Sequence, residues 1–75
     1  MKNNSTSDLF KPPAAAQIVE ARLDAGLTQA EAAELSCGTL RRWQDWETGA
    51  ALMHSARWRF FQLEVKARKS EKLIM

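Results

Sequence analysis

The stretch "LRRWQDWETG", residues 40 to 49, interleaves side chains that can read a base edge with two indoles three residues apart. An arginine fork matches guanine O6 and N7, and one well-placed contact of this kind discriminates by about 1–3 kcal/mol. Arg41 stands near the start of this helical run, where such a fork would enter a groove, and Arg42 suits a flanking phosphate. Gln44 can meet a base edge, Leu40 a thymine methyl, and Asp45 a cytosine amine or Arg41 itself. Trp43 and Trp46 are assigned to the core, because two exposed indoles would waste the helix's only strong apolar face. The competing reading makes Arg41 and Arg42 solvated surface, and the charge of Asp45 counts against a place beside phosphate.

These residues need a helix held at a fixed angle, and the preceding segment supplies the elements. Pro12 and Pro13 suit a helix start, and "AAAQIVEARLDAG" is rich in helix formers and stops at Gly26. Its expected inner stripe is Ala14, Ile18, Ala21 and Ala25, with Leu23 also reaching the core. Thr28 followed three residues later by Glu31 is a capping box and predicts a short helix over 29–35. Ala32, Ala33 and Leu35 should face inward there. Gln29, at its start, is placed to donate to a phosphate. "SCG" breaks the run, Cys37 being read as a small apolar plug, and Thr39 caps the next helix, which Gly49 ends. A last helix is expected from a Ser55 cap, with Trp58, Phe61 and Val65 in one stripe, Phe60 and Leu63 broadening it, and Met53 beneath. Arg22 and Glu47 are candidates for a partly buried ion pair that orients the helix carrying Arg41.

Seventy-five residues make one domain, expected over 12–65, with a polar arm at 1–11 bearing Leu9 and Phe10 and a basic and apolar tail at 66–75. A domain of this size buries only about 60% of the surface its unfolded chain exposes, so function must sit on an outer face. Eleven Lys and Arg against nine Asp and Glu leave a net charge of +2, too little to name a partner by itself. One cysteine and one histidine make neither a disulfide nor a zinc site. No metal, cofactor or catalytic residue is expected. No apolar run approaches 18 residues, so neither a membrane span nor a leader is expected, and a cytoplasmic protein is the default.

The runs "GLTQAEAAEL" and "TLRRWQDWETG", separated by three residues, resemble the Cro and lambda-repressor type of helix-turn-helix, the XRE family. "MHSARWRFF", residues 53 to 61, extends the likeness toward small regulators with a Trp-x-x-Trp-Glu-x-Gly core. The likeness spans about 50 residues from 14 to 65. It implies an all-α, compact four- or five-helix bundle of the lambda-repressor-like DNA-binding type, acting as a homodimer on a palindromic operator. By matching position it implies base contacts from Leu40, Arg41, Gln44 and Asp45, and backbone contacts from Gln29 and Arg42. It also implies the Arg22 to Glu47 ion pair and a core containing Ile18, Ala33, Trp43, Trp46, Trp58 and Phe61. One departure stands out. The family turn runs glycine, a hydrophobic residue, then a cap, whereas here Cys37 precedes Gly38.

The function expected is therefore a sequence-specific double-stranded DNA-binding transcriptional regulator, a repressor in the leading reading. The alternative is an antitoxin-like or accessory protein-interaction module with secondary or no DNA binding. An apolar surplus at Phe60, Leu63, Leu73, Ile74 and Met75 gives dimerisation a physical motive.

Overall fold

Capping residues and left-handed stops cut the chain into helices. The computed structural model describes residues 11 to 74, with side chains through residue 69. In it α1 (Ala15–Asp24), α2 (Gln29–Leu35), α3 (Leu40–Thr48) and α4 (Ser55–Ile74) form a small all-α bundle. No strand occurs among the described residues. The N-terminal arm with Leu9 and Phe10, and the side chains of Leu73, Ile74 and Met75, lie outside them.

α1 begins after the two prolines. Ala14 is its cap, and the Ala14 amide donates to Gln17 Oε1 at 2.8 Å. The helix ends in a Schellman turn, where the Gly26 amide donates to Leu23 O and the Leu27 amide to Arg22 O. That turn needs a left-handed residue, and Gly26 supplies it at φ 71°. Thr28 and Glu31 close the capping box of α2, with Glu31 N donating to Thr28 Oγ1 and Thr28 N to Glu31 Oε1. Thr39 caps α3 by accepting from Arg42 N at 3.1 Å, and Gly49 stops it at φ 85°.

α4 departs from expectation at its start. His54, not Ser55, does the capping: its carbonyl accepts from Trp58 N and its ring Nδ1 from Ala56 N at 3.0 Å. The helix then runs unbroken to Ile74, so the boundary expected between 65 and 66 falls inside it.

The core comprises Ile18, Leu27, Ala32, Ala33, Trp43, Trp46, Met53 and Phe61. α3 packs against both α1 and α2, while α4 packs on α2. Trp43 is fully buried, meeting Trp46 edge-on at 5.7 Å and Phe61 at 5.0 Å between ring centroids. Edge and tilted geometries of this kind add about 0.5–1.5 kcal/mol beyond burial. Trp58 is half-buried and stacks on Phe61 at 6.1 Å. The alanines of α2 let α3 approach closely, because they hold no bulk between the helix axes.

Four inward assignments fail. Ala14 is exposed because it is a cap and precedes the helical stripe. Leu23 is 61% exposed, since the 3.6-residue period that turns Ile18 inward carries Leu23 toward solvent. Phe60 and Leu63 are likewise exposed, on the side of α4 away from Trp58, Phe61 and Val65.

Candidate nucleic-acid interface

The α2 to α3 connection holds two helices through Ser36, Cys37, Gly38 and the Thr39 cap. α2 ends in a second Schellman turn, with Cys37 N donating to Glu34 O and Gly38 N to Ala33 O at 2.9 Å. The left-handed position is occupied by Cys37 at φ 61°. The cysteine thus holds the conformation that glycine would adopt without strain. Cys37 is exposed, so it is not the expected plug. A Cβ built at the next residue, Gly38, would lie 3.4 Å from Trp46 Cη2. The Trp46 indole therefore lies directly against this glycine of the turn.

Ser36 is the buried polar residue of the turn, and its hydroxyl donates to Ala33 O at 3.0 Å. From α4, Arg57 Nη1 donates to Ser36 O and Cys37 O, each at 2.8 Å, with its guanidinium 5.9 Å from the Trp46 ring centroid. Nothing in the spacing of Arg57 marks it as the residue that clamps the turn; only the folded arrangement reveals it.

A hydrogen-bonded hub fixes α3 from below. Glu47 accepts from Arg22 Nε at 2.5 Å and Nη2 at 3.4 Å, from Gln29 Nε2 at 2.8 Å, and from Trp43 Nε1 at 2.7 Å. Arg22 also donates to Leu27 O at 3.0 Å. Burial raises the Glu47 carboxyl, but the donors on Arg22, Gln29 and Trp43 and the charge of Arg22 outweigh it, holding the group below its ordinary value. One carboxylate thus ties α1 and α2 to α3 and satisfies the only polar atom of a buried indole.

Gln29 belongs to this hub. Its side-chain donor is bonded to Glu47, and its Oε1 accepts from Gln44 Nε2 at 3.3 Å. It is half-buried and tied inward, where the spacing suggested an open group.

Leu40, Arg41, Arg42 and Gln44 are exposed along α3, with Asp45 half-buried. Arg41 Nε lies 3.5 Å from Asp45 Oδ1, one turn on, while the Arg41 side chain stays 85% exposed. The ion pair points the guanidinium along the helix without removing it from solvent, and an exposed pair of this kind contributes only about 0.3–0.5 kcal/mol. Neither a family model nor a curated protein matches this chain. What the geometry defines is a small all-α bundle in which an exposed polar helix face is carried on buried indoles. No helix of the described residues is long and apolar enough to cross a membrane.

Proposed function

We propose that the chain is a sequence-specific double-stranded DNA-binding regulator of the Cro and lambda-repressor kind, repressing from a palindromic operator as a homodimer. The observation that carries this reading is the division of α3. Trp43, Trp46 and Glu47 bind it to the bundle, Arg41, Gln44 and Asp45 present donors and acceptors on its other side, and Leu40 adds an exposed apolar group at its first turn. α2 and α3 then act as a helix-turn-helix, α3 entering the major groove with Arg41 on guanine and Gln44 on a base edge. Asp45 sets the direction of Arg41 or accepts from cytosine. Arg42 takes a backbone phosphate. Gln29 serves through Gln44, whose amide it accepts, more than by its own contact with phosphate.

Selection of bound duplexes from a random library at two salt concentrations tests the proposal. Enrichment of a two-fold site with half-sites about 34 Å apart, weakening with salt, is the expected result. A folded sample that shows no salt-sensitive binding to any duplex overturns it. A second reading, a protein-docking module of the antitoxin or accessory kind, draws on Leu40 and Leu52, which are 44% and 76% exposed. It predicts that loss of Leu40 removes a protein partner, with duplex binding weak or absent before and after.

A further inference from the structure

α4 carries two apolar faces, of which the bundle uses one. Trp58, Phe61 and Val65 pack on the core. Phe60 and Leu63, 40% and 58% exposed, and exposed Ala67 lie about 160° away around the helix, at the 100° per residue of an α-helix. Their spacing is three, then four, and exposed Ala56 precedes Phe60 by four. In sequence the same register continues to Ser70 and Ile74. This 3–4 repeat has the spacing of a helix-pair seam, with Phe60 and Ala67 at one core position and Ala56 and Leu63 at the other.

The charges beside the seam select the partner. Arg59 and Lys66 flank it on one side and Glu64 on the other, and in sequence Glu71 follows Lys66 by five residues as Glu64 follows Arg59. Residues five apart do not face each other on a single helix. In a parallel pair they do meet across the seam, so the arginine of one chain faces the glutamate of its copy, twice by symmetry. An antiparallel pair would set basic against basic and acid against acid. We propose that α4 pairs in parallel with α4 of a second copy of this chain, through Phe60, Leu63 and Ala67, with Arg59 of each copy against Glu64 of the other. This deepens, and rests on, the two-copy part of the proposed function, but it is measured without DNA.

Sedimentation equilibrium of the full chain without DNA tests the pairing, with circular dichroism as the fold control. The wild type is expected to dimerise. R59E and E64K should each weaken the dimer about tenfold, because each turns two attractive contacts into repulsive ones. The double variant R59E/E64K should return to near wild-type association, a recovery that no contact within one helix explains. L63D should abolish pairing and leave helicity intact, since Leu63 is outside the core. A wild type monomeric at millimolar concentration, an R59E variant that associates more strongly, or a double variant that fails to recover overturns the proposal. A monomer that still binds duplex DNA would sink the pairing and spare the DNA reading.

Discussion

Gln29 and Glu47 are joined by a 2.8 Å hydrogen bond that crosses from the first residue of α2 to the last turn of α3. The bond sets the angle between those helices from the outside, as Trp43 and Trp46 do from the core. Glu47 is the common acceptor, and its loss should be felt by three helices together.

Glu47→Ala leaves Arg22, whose side chain is only 15% exposed, without its counter-charge and strips the acceptor from the Trp43 indole. Breaking one partner of a buried network costs more than the pair itself contributes, so a loss of about 2–4 kcal/mol is expected. Glu47→Gln keeps an acceptor for Trp43 and should cost less. Urea unfolding followed by tryptophan fluorescence gives both values, and equal stability of Glu47→Ala and wild type would refute the hub.

Acid should expose the same group. The folded Glu47 carboxyl titrates below its ordinary 4.5, so near that pH the unfolded chain binds more protons than the folded one. Its stabilising contribution is complete above the unfolded value and disappears as pH falls through the lower folded one. Unfolding free energies measured from neutral pH into this window should fall more steeply for wild type than for Glu47→Gln. Glu31 shifts in the same direction through the Thr28 amide and hydroxyl, so Glu31→Gln in both backgrounds separates the two contributions.

Cys37 offers a stabilising change. A non-glycine residue in the left-handed region is disfavoured by roughly 1–2 kcal/mol, part of which glycine returns through its own greater freedom in the unfolded chain. Cys37→Gly should therefore raise stability by about 0.5–1 kcal/mol, read as a higher denaturant midpoint with unchanged slope. The side chain is exposed, so no packing is lost. A lower midpoint would show that the thiol makes a contribution its position does not account for.

On the proposed DNA face, Arg41→Ala should relax preference at particular base pairs, because it removes a fork directed at bases. Arg42→Ala should weaken binding evenly across sequences and reduce the logarithmic salt slope by about 1. Quantitative binding to a panel of single-base operator variants at two salt concentrations distinguishes them, and identical profiles for the two variants would remove the division of labour.

The boundaries of α2 and α3, and the end of α1, were legible because each rests on a local signal, whereas the capping of α4 by His54 and its extent past residue 65 were not. Thr28 and Thr39 precede helical runs, and Gly26 and Gly49 end them. The indoles of α3 were legible through their period. Leu23, Phe60 and Leu63 were misassigned inward for the reverse reason, since apolar character alone does not say which face of a helix finds a partner. The environment of Gln29 was hidden, because its acceptor lies 18 residues away and only packing brings them together. Arg57 was hidden in the same way. The contact between Trp43 and Glu47 lies at a four-residue spacing that helical geometry allows, yet an ion pair with Arg22 is the more obvious use of that carboxylate.

Under the proposed DNA reading, the division of α3 separates inheritance of shape from inheritance of taste. Trp43, Trp46 and Glu47 carry the mechanical attachment, while Leu40 and Arg41 contribute nothing to the buried core. Substitutions at those two positions can therefore accumulate without spending the bundle's small reserve of stability. A randomised library there should stay folded while its surface chemistry diverges, which makes this short helix an exchangeable cartridge in a fixed holder.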